Sequence, residues 1–449
     1  MGERLLSLGL DVGTTTTQMV ISQLLIENRA SSFSVPKMEI IQRQVLYQSD
    51  VHFTPLLGIN RIDADGLQQL LENEFSDAGI ERNQINTGAI IITGETSRKE
   101  NARAVADAIA SFSGDFVVAT AGPHLESILA AKGAGAVTLS ETENRPVLHM
   151  DIGGGTSNLA LIENGRILAT GCLNVGGRLL KFDQNGQIIY CSPVLQDMVN
   201  FQPGKIPTMQ QVDTLCDLMV QALEMAAGFR PESKLLQEFW TKEAGPPWAP
   251  PLQRPLLSFS GGVAECIDNA LSPNAFGDIG PALGNAIRRS RLCQEDYHLA
   301  KNAIRATVIG AGSYSTQLSG STVFHQNVTF PIKNLPVVMA IDQLTALDTP
   351  GVWALEHSNA FRYSEIIALA EKIVRTWPKQ AIYIAATSDI AKALGQAVSL
   401  RMPPDASILC IDGVTLPAES YLDVGMPIGS TLPVVVKTLI FNESRRSEL

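Results

Sequence analysis

The sequence is short of basic residues and has no long apolar run. Its 449 residues include 34 Lys and Arg against 45 Asp and Glu, so its formal net charge is −11. Nucleic acids and anionic membrane surfaces are bound by basic faces, and this balance argues against both as main partners. No apolar run approaches the ~18 residues that a membrane span needs. The first residues also lack a basic segment followed by a long apolar stretch, so we expect no secretory signal and a cytoplasmic protein.

Paired cysteine and histidine motifs are missing as well. The six cysteines are scattered with no C-x-x-C pair, and the six histidines show no H-x₃-H spacing. Scattered cysteines in a chain of this length are typical of buried, reduced thiols in a cytosolic protein. The spacing predicts neither a disulfide framework nor a structural zinc site.

Strand and helix patterns alternate along the whole chain, and alternation of this kind predicts an α/β layer architecture. The length of the chain predicts about three domains, at ~150 residues for each domain. Predicted strands cover residues 5–10, 19–26, 38–47, 89–93, 116–120, 256–260, 307–309, 336–341, 381–386, 408–411 and 433–441. Predicted helices cover residues 65–78, 97–112, 122–132, 208–227, 364–377 and 390–400.

Two other stretches have composition signals of their own. Residues 146–177 are predicted to form three strands, with a hairpin turn at Asn164-Gly165. The Pro- and Trp-rich stretch at residues 230–255 is predicted to be a surface loop or an insertion.

One short turn occurs twice. DVGTTTTQMVI begins at Asp11 and DIGGGTSNLAL begins at Asp151. When the two stretches are aligned, the Asp, the following aliphatic residue and the Gly coincide, and the Thr-Thr-Gln at 16–18 matches the Thr-Ser-Asn at 156–158. An apolar strand follows each copy, and each copy lies at the head of an α/β segment. The sequence therefore predicts two related domains.

The residue types of this turn suit phosphate and magnesium. A Gly- or Thr-rich hairpin exposes backbone N–H groups and small hydroxyls, which can surround phosphate oxygens without bulky side chains. A carboxylate at the end of the preceding strand suits Mg²⁺, bound directly or through water. Two such turns facing each other would hold a polyphosphate from both sides, and a metal between them would neutralise its charge.

A single copy of the turn has a simpler explanation, a Ser/Thr-rich hairpin with an Asx-turn. The glycines at 153–155 do not form G-x-G-x-x-G, and a strand follows them, so they are not typical of a dinucleotide-binding turn. Neither copy is followed by Gly-Lys-Ser/Thr, so neither is a Walker A loop. The two matched copies together favour a nucleotide site.

The paired turns resemble the two phosphate motifs of the actin-like ATPase superfamily, which includes actin, sugar kinases and the large heat-shock chaperones. Three further stretches resemble its remaining motifs in the same order: AGPHLESILAAKGAG (121–135) the first connecting helix, LLSFSGGVAECI (256–267) the adenosine motif, and ATVIGAGSYSTQLSG (306–320) the second connecting segment. The resemblance implies an actin-like ATPase fold, in which two related, ribonuclease H-like α/β domains flank a nucleotide cleft.

The resemblance also suggests domain boundaries. Domain I would cover residues 1–135 and carry the first phosphate turn. Domain II would cover residues 136–330 and carry the second turn and the adenosine motif. A C-terminal α/β segment would cover residues 331–449, and it could complete the second domain, form a third, or provide a surface for a partner or for self-association.

Other stretches resemble one group within the superfamily, the reactivating factors of adenosylcobalamin-dependent lyases. They are GETSRKENA (94–102), HLESILAAKGAGA (124–136), FGDIGPALGNAI (276–287) and LDVGMPIGSTLPVVVKTLIF (422–441). A single chain of this length resembles above all the ethanolamine ammonia-lyase reactivating factor. The large subunits of diol and glycerol dehydratase reactivases are longer and need a small second subunit.

This resemblance implies a molecular chaperone with ATPase activity in ethanolamine utilization. Such factors use ATP and Mg²⁺ to open an inactivated lyase, release its damaged corrinoid and let intact adenosylcobalamin enter. The implied partners are ethanolamine ammonia-lyase and ATP or ADP, with cobalamin met indirectly through the lyase. We also expect a homodimer, and the resemblance implies association with a bacterial microcompartment.

The resemblance assigns roles to the residues of the matched motifs. Asp11 and Asp151 would bind Mg²⁺ through water, and Glu126 would orient or deprotonate the attacking water. The other explanation of Glu126 is an ordinary surface acid on an amphipathic helix. The residues around the phosphates and the nucleoside would be Gly13, Thr14, Thr15, Thr16, Gly153, Gly154, Gly155, Thr156, Gly261, Gly262 and Val263, with Glu265 as a weaker candidate. We place no equivalent of the chaperones' catalytic lysine, and we expect slow hydrolysis.

Two other functions stay open from the sequence. A small-molecule kinase of the same superfamily would need a substrate pocket with an acidic base, and no segment resembles the substrate motif of a sugar or acetate kinase. A filament-forming, actin-like structural protein would sediment in the presence of ATP.

Overall fold

The structure is a computed structural model of the chain. It describes residues 3–13, 16–29, 38–58, 61–92, 101–113, 117–120, 123–196, 198–199, 201–248, 253–269, 271–272, 275–320, 322–347, 349–356, 361–377, 381–418, 420–429 and 431–437. Among these residues, no helix combines the length and the apolar character that crossing a bilayer requires.

The first sheet joins an antiparallel meander to two parallel strands. The elements of this part are β1 (Glu3–Val12), β2 (Thr16–Asn28), β3 (Met38–Gln48), β4 (His52–Phe53), α1 (Ala64–Ala78), β5 (Thr87–Ile92), α2 (Ala102–Ser113), β6 (Val117–Thr120), α3 (Pro123–Gly133) and α4 (Ala136–Thr142). The strand order is β3-β2-β1-β5-β6, with β4 beside β2. Neighbours among β1, β2 and β3 are antiparallel, whereas β1, β5 and β6 are parallel.

The second sheet repeats this topology. Its part of the chain contains β7 (Val147–Ile152), β8 (Ser157–Glu163), β9 (Arg166–Leu173), β10 (Leu180–Phe182), β11 (Ile188–Cys191), α5 (Pro193–Gln196), α6 (Met209–Ala226), α7 (Lys234–Phe239), β12 (Leu256–Ser260), α8 (Glu265–Asp268), α9 (Gly280–Arg289), β13 (Tyr297–Leu299) and α10 (Ala306–Tyr314). The order is β9-β8-β7-β12-β13, again with an antiparallel meander followed by parallel strands. β10 and β11 form a separate small hairpin.

Two helices are exchanged between the repeats. α3 follows the first sheet in the chain, yet with α4 it covers one face of the second sheet, where Ala131 and Ala136 are buried. α10 ends the second repeat but packs on the first sheet through Val308, Ile309 and Ala311. The opposite faces are covered by α1 and α2 on the first sheet and by α6 and α9 on the second. The inner strands β5, β7 and β12 are thus buried on both faces, which explains their nearly continuous apolar sequence, whereas the edge strand β3 is partly exposed.

A third sheet contains the C-terminal part of the chain. Its elements are β14 (Gln317–Leu318), β15 (Phe324–Gln326), β16 (Ile332–Val338), β17 (Val352–Leu355), α11 (Tyr363–Thr376), β18 (Ile382–Ala386), α12 (Ala391–Ser399), β19 (Ile408–Asp412), β20 (Tyr421–Val424) and β21 (Pro433–Lys437). The order is β14-β21-β20-β16-β17-β18-β19-β15, and β16 to β19 are parallel. Separate apolar clusters cover its two faces. β14 and β15 join this sheet from before residue 331, and the proposed domain boundaries stay predictions.

The predicted α/β fold with two related domains is confirmed by the repeated topology. The predicted helices at 65–78, 122–132, 208–227, 364–377 and 390–400 correspond to α1, α3, α6, α11 and α12. The hairpin at Asn164-Gly165 is also confirmed, with φ of 49° and 74° as a tight β-hairpin turn requires. The six cysteines are free, and all except Cys191 are buried. Of the helix predicted at 97–112, residues 97–100 lie outside the described residues.

One local prediction is wrong, and the structure also contradicts one of the two alternatives for a second stretch. Residues 307–309, predicted as a strand, lie in helix α10, whose residues 306–313 are all buried. A helix that is apolar on every side has no periodic pattern, so its β-branched residues favour a strand. Residues 230–255 are not simply a surface loop, because α7 lies there and the Phe239 and Trp240 side chains are buried. Trp240 also packs edge-on against Trp248, with ring centroids 5.3 Å apart.

The crossing of α3 and α10 depends on glycine. A Cβ atom at Gly310 would overlap the carbonyl oxygen of Leu129 in α3, whereas a Cβ at Gly312 would lie 3.1 Å from the backbone nitrogen of Gly9. We expect Gly310→Ala to lower the free energy of unfolding by about 1–3 kcal/mol because the helices must separate. Gly312→Ala is the matched control in the same helix and should cost less. Urea unfolding measures both, and equal stabilities would contradict the argument.

Candidate active site

The two repeated turns are closed by the same backbone hydrogen bond. In the first, the Gly13 N–H donates to the Thr16 carbonyl at 2.9 Å, and in the second the Gly153 N–H donates to the Thr156 carbonyl at 2.9 Å. The flanking strands also match, since Asp11 is paired with Gln18 and Asp151 with Asn158 in register. The alignment seen in the sequence is therefore a structural repeat. Thr14 and Thr15 lie outside the described residues.

Both turns open into one cavity of about 460 Å³. Apart from Thr14 and Thr15, every residue that the sequence analysis singled out for the site lines it: Asp11, Gly13, Thr16, Glu126, Asp151, Gly153, Gly154, Gly155, Thr156, Gly261, Gly262, Val263 and Glu265. The first repeat contributes Asp11, Gly13 and Thr16, and the second repeat contributes most of the opposite wall. A ligand in this cavity would contact both repeats.

Asp151, near the end of β7, accepts a hydrogen bond at each carboxylate oxygen. Ser260 donates to its Oδ1 at 2.5 Å and Thr307 to its Oδ2 at 3.0 Å. Burial raises the pKa of Asp151, and these two hydrogen bonds oppose the rise. Ser260 also contacts His149 Nε2 at 3.0 Å, and His149 Nδ1 contacts Ser258 at 3.0 Å. Burial lowers the pKa of His149 to about 3, so a neutral imidazole supports the serine that orients Asp151.

Glu126 lies at the start of α3, half-buried on the cavity wall. Burial and the nearby charges of Asp11 and Asp151 raise the pKa of Glu126 well above its usual range, while a hydrogen bond from Asn158 lowers it. A carboxyl group in such surroundings keeps its proton to a higher pH than an exposed one does. Glu126 is therefore a candidate proton acceptor on the cavity wall, and its role stays a prediction.

Two buried amide oxygens beside the aspartates have no hydrogen-bond partner among the residues that the structure describes. They are Gln18 Oε1 and Asn158 Oδ1, and these two residues are 5% and 2% exposed. Both residues line the cavity, and both occupy the position opposite an aspartate. Amide oxygens left unpaired in this way accept hydrogen bonds from water, so the residues fit a hydrated divalent cation. Within the described part of the chain, no group of three or more His, Cys, Asp or Glu side chains could hold a metal.

The adenosine-like motif bends toward the second phosphate turn. Gly261 has φ of 89°, and a Cβ there would overlap the Ile152 carbonyl oxygen, so this turn requires glycine. The Val263 N–H donates to the same carbonyl at 3.1 Å. Phe276 lines the same cavity and is 57% exposed. The cavity wall therefore includes backbone groups and an aromatic residue, which suit a nucleobase.

Several cavity residues were missed by the sequence analysis: Arg178, Asn269, Leu271, Phe276, Asp278, Gly280, Ile304 and Thr307. Phe276, Asp278 and Gly280 lie in the family-like stretch at 276–287 and Thr307 in that at 306–320, but the resemblance assigned them no role. The other four lie outside the matched motifs, and only the fold brings them to the site. Gln18 and Asn158 could have been found, because the alignment of the two turns places them in register.

Comparison with known proteins identifies similar chains. The family model for ethanolamine utilisation protein EutA matches residues 3–352 and 341–442. The chain is 37% identical over 473 residues to ethanolamine ammonia-lyase reactivase EutA of Escherichia coli K12, covering 98% of this chain and 99% of that protein. It is also 37% identical over 475 residues to the protein of that name from Salmonella typhimurium, with the same coverage. A crystal structure from the Ppx/GppA family of Aquifex aeolicus gives a TM-score of 0.41 at 11% identity, over 69% of this chain and 97% of that one.

Proposed function

The chain belongs to the EutA family of ethanolamine utilisation proteins, and from this premise we propose that it reactivates ethanolamine ammonia-lyase as an ATP-dependent chaperone. It releases damaged cobalamin from the inactivated lyase so that intact adenosylcobalamin can bind. The observation that carries the nucleotide part of this proposal is the pair of matched turns that open into one cavity.

The cavity residues supply the groups that a nucleotide needs. The Gly-rich second turn and the Thr-rich first turn present backbone N–H groups and hydroxyls to phosphate oxygens. Asp11 and Asp151 would hold hydrated Mg²⁺, with Gln18 and Asn158 accepting hydrogen bonds from its water. Bound Mg²⁺ neutralises phosphate charge in phosphoryl transfer. Glu126 accepts a proton from the attacking water, and Thr156 holds the phosphate beside it.

The nucleoside end is assigned to the adenosine-like motif. Gly261, Gly262 and Val263 pass close to the ribose and the base, and Phe276 provides an aromatic surface in the same cavity. Because ligand contacts come from both repeats, ATP stabilises one relative arrangement of the two sheets over another. A ligand shifts such an equilibrium only by its difference in affinity for the two states. The exchanged helices α3 and α10 connect this change to the rest of the chain.

Slow ATP hydrolysis coupled to cofactor exchange is part of the proposal. The cytoplasmic location, the homodimer and the association with a bacterial microcompartment stay predictions.

Recovery of an inactivated lyase tests the function directly. Ethanolamine ammonia-lyase inactivated with hydroxocobalamin is incubated with adenosylcobalamin, Mg²⁺ and this protein, with and without ATP. We expect deamination activity to return only when both the protein and ATP are present. Recovery without ATP would contradict the nucleotide part. No recovery, together with phosphate transfer from ATP to a metabolite, would favour the small-molecule kinase instead.

A further inference from the structure

The cavity has an acidic wall and one cationic side chain. The carboxylates that line it are Asp11, Glu126, Asp151, Glu265 and Asp278. Among the described lining residues, Arg178 alone carries a positive charge. A polyphosphate adds several negative charges to this acidic surrounding, so its binding depends strongly on each positive group nearby.

Arg178 lies directly over the second phosphate turn. Its backbone N–H donates to the Gly154 carbonyl at 2.6 Å, and the Gly177 N–H donates to the Gly153 carbonyl at 3.1 Å. A Cβ atom at Gly154 would lie 3.2 Å from Arg178 Cδ. The turn and the arginine therefore form one unit, in which the absence of a side chain at Gly154 leaves space for the arginine stem.

One acidic residue fixes the direction of the guanidinium group. Arg178 Nε donates to Asp278 Oδ2 at 3.1 Å, and Asp278 Oδ1 accepts from the Gly280 N–H at 2.8 Å at the start of α9. The Asp278 side chain is only 6% exposed. Within the described residues, this ion pair engages Nε, and the two terminal nitrogens of the planar fork remain available to a phosphate.

We propose that Arg178 is a phosphate-binding residue that sets the preference of this site for a nucleoside polyphosphate over a nucleoside. The inference rests on the proposed nucleotide site and adds the residue that supplies its positive charge. No lysine of the first repeat could be assigned to that role from the sequence. Asp278 is the positioning residue, since it holds the fork over the turn.

Calorimetric titration with ATP, ADP and adenosine in Mg²⁺ buffer tests the proposal. In Arg178→Gln we expect the Kd for ATP to rise about 10- to 100-fold, because a charge-assisted hydrogen bond is lost. The Kd for adenosine should not change. Arg178→Lys keeps the charge but not the fork, so its Kd for ATP should be intermediate.

Arg230→Gln is the matched control. Arg230 Nε pairs with the buried Glu224 at 2.9 Å, and the side chains are 36% and 4% exposed, against 26% and 6% for Arg178 and Asp278. Arg230 is not among the residues lining the cavity. Loss of this ion pair reproduces the structural effect of Arg178→Gln without touching the site, so its ATP affinity should equal that of the wild type.

The outcomes separate this inference from the proposed function. If Arg178→Gln binds ATP as tightly as the wild type, Arg178 is not a phosphate-binding residue, and the nucleotide site stands. If it loses affinity for adenosine and ATP equally, its role is structural and the inference is wrong. If the wild type itself binds no ATP, both the inference and the nucleotide part of the function are overturned. If Arg178→Gln does not fold, Arg178→Lys provides the test. The inference then requires that Arg178→Lys binds ATP more weakly than the wild type does and binds adenosine as tightly as the wild type does.

Discussion

Asp11→Asn and Asp151→Asn should each abolish the ATP-dependent recovery of inactivated ethanolamine ammonia-lyase. Each substitution removes a negative charge from one side of the cavity and keeps the side-chain volume. Preorganised charges in such sites are typically worth about 100-fold or more in rate, so either loss alone should stop recovery. The measurement is the initial rate of recovered deamination at saturating ATP, with ATP affinity measured with and without Mg²⁺.

Asp423→Asn provides a matched control for neutralising a buried aspartate. Asp423 is fully buried in β20 of the third sheet, far in the chain from both phosphate turns. Its backbone partner is the Asn334 N–H. We expect this variant to lose stability in urea and to keep ATP-dependent recovery. If either cavity variant recovered the lyase as well as Asp423→Asn does, the proposal that both repeats hold the cation would be contradicted.

The meeting of the two turns at one cavity could be predicted because the sequence signal is local to a repeated turn. Asp11 and Asp151 each end a strand, and the glycine two residues later makes the same backbone hydrogen bond in both copies. Local sequence fixes that geometry, so aligning the two stretches was sufficient. The prediction of Glu126 depended instead on a family resemblance, because a helix start with one acidic residue is common. Only the fold brings this residue to the cavity.

Other features depend on contacts that are distant in the chain. Residues 307–309 favour a strand by composition, yet helix α10 is stabilised because it fills the space between the first sheet and α3. Arg178 has no motif around it, and its position follows from Gly154 and Asp278, of which the second is 100 residues away in the chain. His149 lies in an otherwise apolar strand, and nothing around it in the sequence indicates a role. Only the pairing of β7 with β12 places it between two serines.

Glu126→Gln should separate ATP binding from ATP hydrolysis. Glutamine keeps the size of the side chain but cannot accept a proton, and loss of a general base typically costs about 100- to 10,000-fold in rate. The variant should bind ATP at least as well as the wild type, since it removes a negative charge from an acidic cavity. Release of inorganic phosphate under single-turnover conditions gives the rate, and calorimetry gives the affinity. Glu74→Gln, at a buried glutamate in α1 that does not line the cavity, is the control and should hydrolyse ATP normally.

The pH dependence of hydrolysis identifies the group further. Burial and the charges of Asp11 and Asp151 raise the pKa of Glu126 well above the ordinary glutamate value of about 4.3. A base works only when it is deprotonated, so the wild-type rate should rise with pH over a range above that ordinary value and then level off. The residual rate of Glu126→Gln should lack this rise, because the titrating group is gone. An unchanged rise in the variant would assign the base to another group, and equal loss of binding and hydrolysis would make Glu126 a structural residue of the cavity wall.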